Sequence, residues 1–322
     1  MKKTIPVLWL VLLLLLPGCA RKKQEPRLSI VCTTYPIYLL VSSLTEGVEG
    51  VAAERLDTSS GGCLHDYTLT VADMKKLDRA DIIALNGAGL EEFLEAALET
   101  SDAVVIDCSM GVDLLENLSH DHDGDDHDGH DHGHWDPHYW MDPANARIMA
   151  ANLRNQLVLA DPHYAEVYET NTRNADMTLL SCQTTIENLM MEFRPQMGTY
   201  PGLITFHDGF QYFARACGLP LLASIEEEAG SEASAREIVE ISALVKAYNI
   251  PIIFTEINGS DATANAIARE TGCQVAQLSM LMDGPDEADS AFGLLENYSN
   301  LYHDNLETMI NGFAGERVVP LG

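Results

Sequence analysis

Between Asp161-Pro162 and Pro195 the chain contains no glycine and no further proline. A stretch of that length without a breaker has few ways to fold. Tyr164, Tyr168, Asn171, Ala175, Leu179, Cys182, Ile186, Leu189 and Phe193 follow one another at steps of three or four. Residues spaced this way share one face of an α-helix, and only Asn171 interrupts the apolar stripe. Asp161-Pro162 reads as N-cap and first helical residue. The spacing therefore predicts one amphipathic rod of about 30 residues, roughly 45–50 Å long. A coiled coil is the rival reading, but the stripe recurs nowhere else in the sequence.

On either side of the rod, short β-branched or apolar runs alternate with helical patterns. The strand candidates are Leu28–Thr33, Val51–Leu56, Ile82–Asn86 and Ala103–Asp107 before it, and Leu203–Phe206, Leu221–Ile225, Ile252–Glu256 and Gln274–Leu278 after it. Between them lie helices with readable ends: Thr70 with Asp73 three residues on, Ser260 opening Asp261–Thr271, and Gly272 closing it. Alternation of this kind implies parallel sheets flanked by helices. The expected fold is α/β, with an N-terminal lobe over residues 28–160, an interlobe helix over 161–194 and a C-terminal lobe over 195–322. A rod between two lobes permits little hinge bending, and 322 residues suffice for two domains.

The first residues obey different rules. Lys2 and Lys3 precede a twelve-residue apolar run, Ile5 to Leu16, closed by Leu16-Pro17-Gly18-Cys19. The run is too short to span a bilayer and has the dimensions of a signal-peptide hydrophobic region. Residues 1–18 are thus read as a signal peptide. Cys19 after a small residue resembles the bacterial lipoprotein processing box, which makes it the lipidated first residue of a tether over 19–27. An ordinary secretory signal with a coincidental cysteine is the alternative. The expected location is extracytoplasmic, anchored by lipid to the bacterial cell membrane.

Charge narrows the partners. Nineteen Lys and Arg stand against 49 Asp and Glu, a formal net charge of −30. Such a surface repels phosphate backbones, which excludes nucleic acid, and it attracts cations. The six cysteines after Cys19 form no CxxC, so zinc ribbons and thioredoxin-type motifs are excluded. Cys217 with Cys273 is the one disulfide worth entertaining.

The cation-binding side chains fall into two groups. Residues 120–134 consist of six histidines, His120, His122, His127, His130, His132 and His134, among aspartates and glycines only. That composition cannot pack a core and reads as a solvated loop of accessory metal ligands, or as a solubilising charge run. Outside it, His65 follows the second strand, His138 lies in Asp136-Pro137-His138-Tyr139-Trp140-Met141-Asp142-Pro143, and His207 ends the strand Leu203–Phe206. Open α/β sheets bind ligands beyond the carboxyl ends of their strands. Three imidazoles there suit zinc, which takes three or four N, O or S ligands. His163 and His303 read as ordinary surface residues.

In order along the chain stand the lipoprotein box, Leu64-His65-Asp66-Tyr67, Asn86-Gly87-Ala88-Gly89-Leu90-Glu91, the His-rich loop, the Asp136–Pro143 block, the long helix, and Thr205-Phe206-His207-Asp208. This series resembles the zinc/manganese substrate-binding lipoproteins of ABC uptake systems, the ZnuA-like zinc type above all. The resemblance implies two α/β lobes joined by one backbone helix, with metal in the cleft between them. It further implies a monomer that delivers Zn2+ to a membrane permease and its ATPase. By position His65, His138 and His207 match the family's first three ligands. Where relatives often place an aspartate after the last strand, this chain has Ser279, a weak neutral donor. Either water completes the shell, or Glu256, at the end of Ile252–Glu256, reaches in. Three nitrogens with at most one carboxylate favour Zn2+ over Mn2+.

A zinc-dependent hydrolase is the rival from another class, since three histidines with an open position also describe a catalytic site. The sequence holds no HExxH and no GxSxG. The expectation is a binding protein and not an enzyme. A metal-binding adhesin on the same fold is the third reading.

Overall fold

The computed structural model describes residues 26–56, 58, 67–118, 134–198, 202–225, 234–257, 259–286 and 291–319. In chain order the elements are β1 (Leu28–Cys32), α1 (Tyr35–Leu44), β2 (Val51–Arg55), α2 (Val71–Leu77), β3 (Ile82–Leu85), α3 (Glu95–Leu98) and β4 (Val104–Asp107). Then follow α4 (Pro143–Ala160), α5 (Ala165–Phe193), β5 (Leu203–Thr205), α6 (Gln211–Ala216), β6 (Leu221–Ser224), α7 (Ala235–Tyr248), β7 (Ile252–Glu256), α8 (Ala262–Thr271), β8 (Gln274–Leu278) and α9 (Ala291–Ala314). All eight expected strands form, trimmed by at most one residue at either end.

Each half builds a four-stranded parallel sheet, ordered β2-β1-β3-β4 in the first and β6-β5-β7-β8 in the second. The two orders are the same pattern. In both, the chain leaves the first strand to one side and returns to add the third on the other, which opens a crevice at the carboxyl ends of β1/β3 and of β5/β7.

Side chains alternate across each sheet with period two, and the two faces enter different cores. Ile30, Cys32, Ile82 and Ala84 of the first sheet join Leu203, Ile252, Phe254 and Leu278 of the second in one continuous core that runs through α1, α4, α5 and α9. Val31 and Ile83 face an outer cluster with Leu56, Leu77 and Leu94. Ile204 and Ile253 face another with Phe206, Val245 and Ile267. This partition explains why the Cys217–Cys273 pairing entertained from sequence is not made. Cys217 packs in the shared core, Cys273 lies against the outer cluster of the second sheet, and both are free thiols.

The rod is present as α5, 29 residues long. Its start differs from expectation: Pro162–Tyr164 is a separate 3-10 turn, and Asp161 makes no side-chain cap. The Asp161 carboxylate instead accepts hydrogen bonds from Arg27 (2.8 Å) and the Tyr168 hydroxyl (2.9 Å), so it ties the start of β1 to the rod. Asn171, the break in the stripe, is buried, and its Nδ2 donates to the carbonyls of Leu44 and Glu46 at the end of α1 (3.0 and 2.9 Å). The last carbonyls of a helix lie beyond its internal ladder, so a polar residue serves there better than an apolar one.

The expected helix ends are otherwise found. Thr70 and Asp73 form a reciprocal capping box, Asp142 caps α4 through the Ala144 N–H, and Gly272 closes α8 at φ +83°. At the start of α8 the side chain of Asp261 makes no cap, and the Ser260 Oγ accepts the Ala262 N–H (3.3 Å). Among the described residues no helix is long and apolar enough to cross a membrane. The signal-peptide and tether readings, including Cys19, lie outside the described residues.

Contacts between the lobes flank the crevice. The Trp140 indole donates to the Met280 carbonyl (2.9 Å), and the Tyr298 hydroxyl donates to the Trp140 carbonyl (2.6 Å). Arg55, at the end of β2, pairs with Asp283 (3.1 Å) and Asp286 (2.6 Å) beyond β8.

Candidate metal centre

His138 sits on the loop that follows the His-rich segment, just before the 3-10 turn Tyr139–Met141. Its orientation is set two residues earlier in the chain. Asp136 Oδ1 accepts both the backbone N–H and the ring Nδ1–H of His138, each at 2.8 Å. The pair is buried, with the His138 residue 5% exposed. An imidazole whose Nδ1–H is engaged by a carboxylate turns its Nε2 lone pair outward, the usual arrangement of a metal-binding histidine. In the sequence the only signal of this role is the Asp-x-His spacing of Asp136 and His138.

His207 arrives from the other lobe, directly beyond β5. Its ring lies 5.4 Å from that of His138, centroid to centroid, at 86°. Two imidazoles bound to one tetrahedral zinc at about 2.0–2.1 Å place their ring centroids about 5 Å apart, so the observed separation suits two ligands of one ion. Glycine makes the approach possible. A Cβ on Gly209 would meet the Cδ2 atoms of His207 and His138 at 3.0 and 3.2 Å, and Met280 Sδ at 2.5 Å. Sequence reasoning passed over this residue.

Glu256 is the last residue of β7, across the crevice from β5, and its Oε2 stands 3.6 Å from His207 Nδ1. Burial holds its carboxyl above the ordinary range, with the charge of His138 acting the other way. For His138, burial works to lower the pKa, but the hydrogen bond and charge of Asp136 outweigh it, helped by Asp208 and Glu256, and the net shift is upward. The crevice is therefore a place of negative potential that favours a cation, whether a proton or a metal ion.

The remaining candidates divide. Ser279 belongs to its own turn: its hydroxyl accepts the Leu281 N–H (3.1 Å), and its backbone is paired on both sides with the Asn305 amide (2.7 Å each). His134 rests its ring on Trp135 (4.4 Å) at the base of the His-rich loop, where Glu116 and Trp135 form an isolated antiparallel bridge. His65, His120, His122, His127, His130 and His132 lie outside the described residues. His303 groups with Asp304 and Glu307 on α9, their ligand atoms within 4.8 Å of one another, and Glu307 is paired with Arg317 (3.5 Å). No other trio of His, Cys, Asp or Glu among the described residues is drawn together that closely, so the crevice donors stand more open.

Two parallel-sheet lobes on a shared helical rod, with imidazoles from both sides facing each other, define the class of metal-binding substrate-binding proteins. Within that class the chain belongs to the ZnuA family, zinc-uptake complex component A, periplasmic, whose model matches residues 30–312. It is 28% identical over 296 residues to the iron-binding protein YfeA of Yersinia pestis, covering 88% of this chain and 86% of that protein. To the high-affinity zinc uptake system protein ZnuA of Bacillus subtilis it is 28% identical over 302 residues, 91% of this chain and 89% of that one. The laminin-binding protein Lmb of Streptococcus agalactiae, described as bifunctional with adhesin and metal-transporting activity, matches with a TM-score of 0.65 at 26% identity, covering 87% of this chain and 99% of that chain.

Proposed function

We propose that this protein captures Zn2+ outside the cytoplasm and delivers it to an ABC permease driven by its ATPase, acting as a lipid-anchored monomer. The observation that carries the reading is the facing pair His138 and His207, one from each lobe, with Asp136 fixing the tautomer of the first. His65 is proposed as the third imidazole and Glu256 or water as the fourth ligand. Closure of these donors on the ion would supply the 2.0–2.2 Å bonds zinc requires. The relatives' names include zinc, iron and manganese binders, so the metal rests on donor chemistry. Three nitrogens with one carboxylate suit zinc better than manganese. The His-rich segment is proposed as a sink of weaker, exchangeable sites, because a sequence of His, Asp and Gly has no core to pack and fixing backbone on binding costs about 1–2 kcal/mol per residue.

Titration calorimetry of the metal-stripped chain from residue 20, first with Zn2+ and then with Mn2+, tests the reading. Tight zinc binding at one site, with manganese much weaker, is expected. Equal affinities would overturn the zinc assignment. A second reading, adhesion, is favoured by the likeness to Lmb. Laminin binding that persists in a variant unable to hold zinc would support it, whereas zinc-dependent growth of a deletion strain would support transport.

A further inference from the structure

The segment Asn86–Glu91, carrying the sequence NGAGLE, lies at the carboxyl end of β3 and has no part in the proposed ligand set. Its backbone is unusual: Gly87, Ala88 and Gly89 all have positive φ, at 81°, 56° and 87°. A side chain at Gly87 would be strained by its φ, and its Cβ would lie 2.0 Å from Asp107 Oδ1, which would have to move. The tight turn folds Glu91 back onto the segment's own start. Its carboxylate accepts the N–H groups of Asn86 (2.6 Å) and Gly87 (3.0 Å), together with the Thr33 hydroxyl at the end of β1 (2.6 Å). Asn86 and Thr33 are fully buried, and Glu91 nearly so.

A carboxylate used in this way fixes the peptide of Asn86, and Asn86 in turn grips the chain on both sides of His138. Its side-chain Nδ2 donates to the Pro137 carbonyl (2.9 Å), and its own carbonyl accepts the Tyr139 hydroxyl. The second acceptor of Nδ2 is the Gly87 carbonyl (3.2 Å), so both neighbours demand a donor and the amide orientation is determined. Asp136 orients the imidazole; Asn86 holds the backbone from which that imidazole projects. We infer that Asn86, clamped by Glu91, is a positioning residue for His138, setting where its Nε2 stands relative to His207. The inference rests on the proposed metal site and adds a residue to its machinery.

Outer partners of metal ligands typically change affinity 10–100-fold when removed. Asn86→Asp keeps the size of the side chain but replaces both donated hydrogens with an acceptor facing two carbonyls. In the metal-stripped chain from residue 20, this variant is expected to weaken Zn2+, competed against a chromogenic chelator, at least tenfold. It should also alter the visible absorption of bound Co2+, a probe of ligand geometry that zinc, with its filled d shell, cannot provide. Tyr139→Phe removes only the hydroxyl and should shift both readouts in the same direction by a few-fold; it decides the matter alone if Asn86→Asp does not fold. Ile106→Val, a cavity in the same sheet, should leave both unchanged. If Asn86→Asp and Tyr139→Phe match the parent while His138→Ala loses zinc, the metal site stands and the positioning role is overturned. If Ile106→Val weakens zinc as much as Asn86→Asp, the effect is general loosening and the role is likewise overturned. If His138→Ala itself binds like the parent, the metal site fails and takes the inference with it.

Discussion

The crevices at β1/β3 and at β5/β7 come from the same strand order and are lined in opposite ways. In the first lobe the carboxyl ends carry Thr33, Asn86 and Glu91, all buried, with hydrogen bonds turned inward on the lobe itself. In the second they carry His207 and Glu256, whose side chains are 18% and 17% exposed and meet at 3.6 Å. The first crevice is closed by a turn with three consecutive positive φ values, whereas the second opens through Phe206–Gly209, where no positive φ occurs. Topology thus supplies a place at each switch point. Whether that place becomes a brace or keeps an open edge depends on whether its polar groups are sealed from solvent, as Thr33, Asn86 and Glu91 are, or remain partly exposed, as His207 and Glu256 do.

The most direct way to break this contrast is to remove the imidazoles. His138→Ala and His207→Ala should each weaken zinc binding by at least about 100-fold, because water replaces a lost nitrogen ligand poorly. Titration calorimetry on the metal-stripped protein reads the effect. His207→Ala should not lower the stability of the metal-free protein by more than about 1 kcal/mol in urea, since His207 is partly exposed, whereas His138→Ala also leaves the buried Asp136 carboxylate without its imidazole partner and costs more. A loss of stability comparable to a core truncation on removing His207 would mean that it holds the lobes together and does not serve an ion.

The brace gives the next largest effect. Burial pushes the Glu91 carboxyl up to about 7, against the hydrogen bonds from Thr33, Gly87 and Asn86. A carboxyl that stays protonated in the folded state while the unfolded chain ionises near 4.5 makes the folded state the better proton binder between those values. Its contribution is therefore fully present below about pH 4.5 and is lost as pH rises towards 7. The span corresponds to at most about 3 kcal/mol. Urea unfolding of the parent and of Glu91→Gln across pH 4.5–7.5 isolates it: the difference between the two curves should slope in this window and flatten above it. A constant difference would place the Glu91 titration elsewhere.

How far these two regions could be read from sequence differs in the same way. Strand positions were legible because β-branched runs bounded by turn residues repeat eight times, and the rod was legible because 3.6-residue periodicity persists over 29 residues. His138 and His207 stood out because histidine at a strand end or between prolines is rare enough to notice. The brace was not legible. Glu91 looks like any surface glutamate in Gly-Leu-Glu, and only the fold of the turn shows that it points inward. Asn171 likewise read as a flaw in a stripe, because its partners at the end of α1 lie 127 and 125 residues away in sequence. The Cys217–Cys273 pairing, entertained from sequence, is not made for a related reason: local pattern cannot say which face of a sheet a residue will meet.

A smaller effect sharpens the contrast on the binding side. Asp136→Asn keeps an acceptor near His138 but replaces a charged partner of Nδ1–H with a neutral one. The ring then loses part of its preference for the tautomer that exposes Nε2, and the crevice loses one negative charge. Zinc affinity should fall about 10- to 100-fold, less than for loss of the imidazole itself. Because the backbone N–H of His138 also bonds to Asp136 Oδ1, Asp136→Ala should be worse than Asp136→Asn, and chelator competition at fixed pH would rank the two. Equal losses would show that charge and not orientation is what Asp136 contributes, since both substitutions remove the charge alike.

The smallest expected effect falls on Glu256. Its carboxylate stands beside His207 rather than bonding to it, and burial already resists its ionisation. If it completes the zinc shell, Glu256→Gln exchanges a charged oxygen for a neutral one, and water can take the vacated position in a tetrahedron that has no d-electron preference. A loss below about tenfold in zinc affinity, or 1.4 kcal/mol, is expected. Manganese should suffer more, because it depends on hard oxygen donors, so the substitution should widen selectivity for zinc. Paired titrations of the parent and Glu256→Gln with both ions decide the matter. A Glu256→Gln loss as large as that of His207→Ala would make the carboxylate an inner ligand on equal terms with the imidazoles, and the second crevice would then be a mixed nitrogen and oxygen site.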